Sequence, residues 1–212
     1  MKIRHENDFY ETPTLLTKEL LARIDISGII LEPCAGDSAI TKALKAYSPR
    51  TTGVATRIVI ESDLTWGDKR SQRTTREGSP ASSPADATTE EFWEYWRSHF
   101  YTNYPDCGIS WVVTNPPFNK AHQILPLAFE YCSIGVAFLL RSTYSEPCKN
   151  RADWLVEHAD RLRYRIDISP RPRFRKEGGT DTATVTWFVW QKSWSWEEKG
   201  IDSPFAYITD WR

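Results

Sequence analysis

The chain predicts an α/β fold in which a mostly parallel central sheet carries helices on both faces and closes with a terminal antiparallel hairpin. Three observations support this. Short apolar runs alternate with helical patterns along most of the 212 residues, the pattern left by parallel strands covered on both faces. Two of these runs, 29–32 and 109–114, lead into short turns, the first of them followed directly by a helical pattern. The last two runs, 161–168 and 183–191, alternate in character with no helical pattern between them, so they pair as a hairpin.

Residues 14–24 read as an amphipathic helix with Leu15, Leu16, Leu20, Leu21 and Ile24 on one side. The first strand is 29–32, and its helix, 40–47, carries Ala43, Leu44 and Tyr47. A second strand is 57–61. From 67 to 89 the composition shifts to Ser, Thr, Arg, Pro and Ala, which cannot bury a face, so this stretch reads as a flexible insertion within a single domain spanning 1–212. Residues 112–114 form the core of what is counted as a fourth strand, followed by a helix over 121–131. A fifth strand at 136–140 and a helix at 152–159 precede the closing pair.

A chain of this length buries a substantial core, and one domain is expected. The formal net charge is −1, so any surface that holds nucleic acid must be locally positive. Ten tryptophans point mainly to core and edge packing. Cys34, Cys107, Cys132 and Cys148 lack metal-ligand spacing, and His5, His99, His122 and His158 are dispersed, so no metal site is expected. Scattered thiols fit a cytoplasmic protein. The polar start from Lys2 to Asp8 predicts no signal peptide, and no apolar stretch is long enough to span a membrane, so no membrane partner is expected.

The most specific signal is Asn115-Pro116-Pro117-Phe118, directly after the apolar run 109–114. Two prolines fix φ at about −65° and supply no N–H donors, so the turn is rigid and its carbonyls are expected to point outward. Asn115 adds a carboxamide and Phe118 a flat apolar face, a set able to grip a planar group that carries an exocyclic amine. A strand followed by an ordinary proline turn would read the same way.

The second motif is Glu32-Pro33-Cys34-Ala35-Gly36, between the first strand and its helix. Small residues let a ligand approach the backbone, and a helix N-terminus presents unpaired N–H groups. The dinucleotide fingerprint Gly-x-Gly-x-x-Gly and the phosphate-binding Gly-Lys-Ser/Thr are both absent, which leaves a nucleoside-bearing cofactor or an ordinary turn. Ligands of open α/β sheets sit beyond the carboxyl ends of the strands. Glu32, and either Glu61 or Asp63, are therefore in reach, and a carboxylate after the second strand can accept both hydroxyls of a ribose. Each acid could instead cap a helix.

With both motifs in order, the sequence resembles the S-adenosylmethionine-dependent amino-methyltransferases, specifically the small phage and prophage DNA adenine methyltransferases. The likeness runs from Asp8-Phe9-Tyr10-Glu11-Thr12-Pro13 through the Glu-Pro-Cys-Ala-Gly turn, Asp86-Ala87-Thr88 with Phe92-Trp93, and residues 111–118. It continues in Leu139-Leu140-Arg141-Ser142, Thr180-Asp181-Thr182 and Trp187-Phe188-Val189-Trp190. The resemblance implies a Rossmann-like class I methyltransferase fold with S-adenosylmethionine as cofactor. It implies methylation of an exocyclic amine, foremost N6 of adenine in DNA, in the cytoplasm of a bacterial or phage-infected cell.

The resemblance also implies the cofactor contacts. Phe9 and Tyr10, with Thr12 and Pro13, close over its methionine end; Glu32, Pro33, Cys34, Ala35 and Gly36 form the turn; Asp63 is preferred to Glu61 for the ribose. Asp86, beside Ala87, accepts from the adenine amino group, and Asn115 borders both ligands. Many relatives carry a second glycine where this chain has Ser38, a position where φ > 0 would be costly for serine. Cytosine N4, adenine in RNA and a glutamine amide in protein offer the same turn a planar nitrogen. A relative that binds nucleic acid without turnover is the remaining alternative.

The chemistry follows from the amine, whose lone pair is delocalised into the ring. Acceptors for its protons, Asn115 Oδ1 and the Pro116 carbonyl, serve better than a base, and catalysis is expected from Asn115, Pro116, Pro117 and Phe118. Phe118 would stack on a base flipped out of the duplex. For the DNA backbone, Arg171, Arg173 and Arg175 are the candidates. Upstream, Arg161, Arg163 and Arg165 are expected to form one positive row, with Leu162, Tyr164 and Ile166 facing the core. Arginines guarding a sheet edge would look similar. Lys69, Arg70, Arg73 and Arg76 of the insertion are a further basic group that could simply be solvated.

Overall fold

The computed structural model describes residues 12–47, 57–64, 85–104, 108–172, 174, 184–202 and 204–205. Six strands, β1 (Gly28–Glu32), β2 (Arg57–Glu61), β3 (Trp111–Thr114), β4 (Gly135–Arg141), β5 (Leu162–Asp167) and β6 (Val185–Gln191), form one sheet in the order β2-β1-β3-β4-β6-β5. The first four are parallel, and β6 lies antiparallel between β4 and β5. The return strand of the terminal hairpin, rather than its first strand, thus pairs with the parallel block.

Among the described residues five α-helices pack on the sheet: α1 (Thr14–Leu21), α2 (Ala39–Ala46), α3 (Glu90–Asn103), α4 (Ala121–Tyr131) and α5 (Ala152–Glu157). Successive side chains of a strand point to opposite faces, and here both faces are apolar. Ile29, Leu31, Val112, Val136, Phe138, Leu140, Phe188 and Trp190 meet Phe92, Trp93, Trp96 and Phe100 of α3 and Ile124, Leu125 and Ala128 of α4. Ile30, Trp111, Val113, Ala137, Leu139, Trp187 and Val189 face Leu20 and Leu21 of α1 and Ile40 and Leu44 of α2. The result is three layers, helix, sheet, helix. No described helix is long and apolar enough to cross a membrane.

Several expectations change. The first helix stops at Leu21; Ile24 is still buried, packed in a following turn, but Leu15, expected on the apolar side, is 69% exposed. Among the described residues the helix α3, and no strand, lies between β2 and the strand at 111–114, so residues 112–114 belong to the third strand and not a fourth. Glu90 and Glu91 in its first turn complement the helix dipole. Within the expected insertion, residues 67–84 lie outside the described residues. Residues 85–89 form a packed turn into α3 with Ala87 buried.

Gly135 shows how tightly the central strands meet. A Cβ there would lie 2.5 Å from the Trp190 carbonyl oxygen and 3.0 Å from the Trp111 ring. Backbone in the middle of a sheet cannot yield as a side chain can. Gly135→Ala should lower stability by about 1–3 kcal/mol. Gly108→Ala, where no described atom lies within 4 Å of the added carbon, should change it little. Denaturant melts of both variants check the contrast, and equal midpoints would contradict it.

Candidate active site

Because β1 to β4 are parallel, the segments that follow Glu32, Glu61, Thr114 and Arg141 share one edge of the sheet. The turn after β1 is sewn to the end of β2. Ser62 N–H donates to the Glu32 carbonyl at 2.9 Å and Ala35 N–H to the Ser62 carbonyl at 3.0 Å. Gly36 N–H then donates to Asp63 Oδ2 at 2.8 Å. Gly36 has φ of 50° and Ser38 φ of 62°. Serine therefore adopts the left-handed conformation that a glycine would take more easily.

Glu32 is 1% exposed and works inside the turn. Its Oε2 accepts from Thr41 N–H at 2.8 Å and from Thr41 Oγ1. Thr41 lies in the first turn of α2, whose N-cap residue Ser38 makes no side-chain cap bond. Glu32 thus supplies from the neighbouring strand the acceptor that a cap residue would provide, the helix-cap alternative for this acid. Burial pushes its carboxyl up to about 8, Thr41 opposes, and Glu61 and Asp63 push upward as well.

Burial likewise pushes the Cys34 thiol well up; Asp63, Glu32 and Asp86 add to the rise, and a hydrogen bond with Thr114 works against it. These mutual influences gather residues from four separate stretches of sequence around one point. Asp86 Oδ1 accepts from Thr88 N–H at 2.9 Å and Thr88 Oγ1 at 2.7 Å, a local turn that leads into α3. The Ala87 carbonyl accepts from Trp93 Nε1 at 2.9 Å, which anchors that turn to the core.

On the other side of β1, Asn115 Nδ2 donates to Thr12 Oγ1 at 3.0 Å. This bond joins the Thr-Pro element at the start of α1 to the proline turn 103 residues later. The Pro117 carbonyl accepts from Lys120 N–H at 2.9 Å, so it turns inward to start α4 rather than pointing outward as expected. Phe118 packs partly buried against both faces of the core, with the Arg141 guanidinium carbon 5.3 Å above its ring.

Phe9, Tyr10, Arg173 and Arg175 lie outside the described residues, and Arg171 is exposed. The row of Arg161, Arg163 and Arg165 does not form. A bulge between Leu162 and Tyr164 turns the strand over, because an extra residue shifts the alternation by one. Leu162 faces the α3 and α4 side, whereas Tyr164 and Ile166 face the opposite one. Arg161 donates to the Lys192 and Trp194 carbonyls, each at 3.0 Å, and Arg163 to Gln191 Oε1 at 2.7 Å. Arg165 reaches Ser145 Oγ at 3.2 Å and Asp167 Oδ1 at 3.3 Å. All three tie the hairpin to its surroundings.

Two residues at the site carried no assigned role. Thr41 is signalled only by being a hydroxyl in the first turn after a small-residue loop. Arg141 is signalled by closing an otherwise apolar strand with a charge at its carboxyl end.

No family model matches the chain, and no curated protein matches it. Solved structures do. The methyltransferase subunit of a type I restriction-modification system from Streptococcus thermophilus aligns with a TM-score of 0.54 at 14% identity, over 87% of this chain and 45% of that one. A Listeria monocytogenes protein assigned to the class I S-adenosylmethionine-dependent methyltransferases aligns at 0.51 and 11% identity, over 99% and 66%. The type IIG restriction endonuclease BpuSI aligns at 0.51 and 14%, over 86% of this chain and 24% of its own length. The fold is therefore the class I methyltransferase α/β fold, and the chain spans less than half of the restriction-modification subunit and of the restriction endonuclease.

Two outcomes test the turn. Ser38→Gly and Ser38→Ala both remove the hydroxyl, but alanine keeps a Cβ at φ of 62°; the glycine variant should be the more stable by about 1–2 kcal/mol. Equal stability would show that the backbone relaxes. Glu32 holds its proton in the folded chain up to about pH 8, whereas an unfolded glutamate releases it near 4.5. The unfolded state thus binds fewer protons between these values, and stability falls as pH rises through that window. Glu32→Gln removes this component, so urea midpoints should shift in favour of the variant between pH 5 and pH 8. A constant difference would contradict the raised carboxyl.

Proposed function

We propose that this chain transfers a methyl group from S-adenosylmethionine to an exocyclic amino group, foremost N6 of adenine in DNA. The observation that carries this reading is the shared sheet edge: parallel β1 and β3 lead into the small-residue turn and the proline turn side by side, and Asn115 of the latter donates to Thr12. The restriction-modification methyltransferase subunit and the restriction endonuclease among the fold neighbours support DNA as the acceptor.

The residues present fit the cofactor. The turn formed by Pro33, Cys34, Ala35 and Gly36 has small side chains and a left-handed glycine, so its backbone can be approached closely. The surrounding acids Glu61, Asp63 and Asp86 suit a ligand bearing positive charge and hydroxyls, while Glu32 holds the turn from inside. Thr12 and Pro13 border the site, with Phe9 and Tyr10 preceding them in sequence. When bound, S-adenosylmethionine supplies an electrophilic methyl on a sulfonium. Asp63 accepts from ribose hydroxyls, and Asp86 with Ala87 meets the adenine end.

On the acceptor side Asn115 Oδ1 and the Pro116 carbonyl take the hydrogen bonds of the amine, which orients its lone pair for direct displacement. Thr12, by accepting from Nδ2, sets which end of the carboxamide serves the amine. Phe118 stacks on the base, and Pro117 holds the turn rigid. The raised Cys34 thiol stays protonated near neutral pH and is a poor nucleophile. That suits transfer without a covalent enzyme intermediate. Arg171, Arg173 and Arg175 are proposed to contact the DNA backbone.

Calorimetry and transfer assays separate the roles. Asp63→Ala should weaken S-adenosylmethionine binding by about 1.5–3 kcal/mol, the range for hydrogen bonds to a charged group; an unchanged dissociation constant would sink the assignment. Asn115→Ala should bind the cofactor nearly as well as wild type yet transfer no methyl. Phe118→Ala should mainly weaken DNA binding, by about 1–3 kcal/mol. Equal turnover in wild type and Asn115→Ala would move catalysis away from this turn.

A further inference from the structure

Strand β4 runs on where β3 stops. Thr114, the last residue of β3, pairs with Phe138, so β4 continues three residues further to Arg141, about 10 Å at the usual rise. Along that extension β6 pairs with it, Arg141 opposite Val185, and Ser142 N–H donates to the Thr184 carbonyl at 3.0 Å. Arg141 is therefore presented by a paired strand over the proline turn, its guanidinium carbon 5.3 Å above the Phe118 ring.

Arg141 is half-buried, and its Nε is closed off from solvent without a hydrogen-bond partner among the described residues. No described carboxylate forms an ion pair with it. The carboxylate two strands away, Asp167, is engaged by Thr186 Oγ1 at 2.6 Å and Arg165 Nε at 3.3 Å. A guanidinium stays charged, carries five donors, and is unfavourable to bury with its donors unmade. Charge at this edge is divided. The acids Glu61, Asp63 and Asp86 sit around the small-residue turn, and a cation stands at the proline turn.

We infer that Arg141 binds a phosphate of the nucleotide that carries the acceptor amine, and so selects a nucleic acid over a neutral amide. The inference rests on the proposed function and names its acceptor class. One face of the guanidinium remains over Phe118 while its edge offers paired N–H groups to phosphate oxygens. A base resting on Phe118 and the phosphate of the same nucleotide reach the two neighbouring side chains together. Arg141 acts here as a specificity and positioning residue; the transferred group never touches it.

The full chain with Arg141→Gln or Arg141→Lys tests this. A fluorescein-labelled random-sequence duplex is titrated by anisotropy across a salt series with S-adenosylhomocysteine present. Arg141→Gln should bind at least tenfold more weakly at low salt, with the log–log salt slope reduced by about 0.9, one phosphate contact. Arg141→Lys should keep the slope and lose part of the affinity, because a point charge replaces the paired donors. Calorimetric affinity for S-adenosylhomocysteine should stay within twofold in both, a readout that a merely structural role would move. A wild-type slope in Arg141→Gln overturns the inference. Turnover is read separately: a wild type that methylates no nucleic acid contradicts the proposed function, while the slope still decides the phosphate contact.

Discussion

Three hydrogen bonds, Ser62 to Glu32, Ala35 to Ser62 and Gly36 to Asp63, prolong the parallel ladder of β1 and β2 beyond the strands themselves. The site depends on this extension. Without it the 33–38 turn would lose its tie to β2, and the left-handed conformation of Ser38 would lose one of the constraints that hold it. A non-glycine residue at positive φ persists only where its surroundings over-determine it. Here they do so twice: through Asp63 on the Gly36 amide and through Glu32 on the first turn of α2. Two of the acids expected to meet the cofactor therefore also build the turn, and substitution at either changes its shape.

The core explains why this edge is rigid. Both faces of the sheet are apolar, and the α3 side is dominated by aromatic rings. Phe92 meets Trp93 edge-on at 5.1 Å between centroids, and Trp96 lies 5.8 Å from Phe100. Such pairs add to the burial of large side chains. Trp187 also donates its Nε1 to the Leu16 carbonyl at 3.1 Å, which fastens α1 to β6 and so places Thr12 at the entrance to the proline turn. The Thr12 to Asn115 bond is the end of a chain of packing that begins in the central strands.

Much of this was legible in the sequence because both periodicities were clean. Strand 57–61 and helix 121–131 appear with the expected bounds, and the other strands deviate by only a few residues. Continuous apolar runs declared strands buried on both sides. What escaped was set by contacts without a local signature. Helix α3 adjoins a stretch of low apolar content and carries Phe92, Trp93, Trp96 and Phe100 at helical spacing, a pattern masked by its polar neighbours. The bulge at Arg163 inverts a strand face through one extra residue that no alternation reveals. The overhang of Arg141 above Phe118 depends on β4 being longer than β3, a difference in pairing rather than in composition.

The carboxyl edge of the sheet brings the small-residue turn and the proline turn together, and the proposed methyl transfer to DNA depends on that arrangement. Its most direct test is mass spectrometry of nucleosides from duplex DNA incubated with the purified full chain and S-adenosylmethionine carrying a deuterated methyl group. The account predicts labelled N6-methyldeoxyadenosine in that digest. DNA free of labelled nucleosides under conditions where the protein binds the cofactor would contradict it.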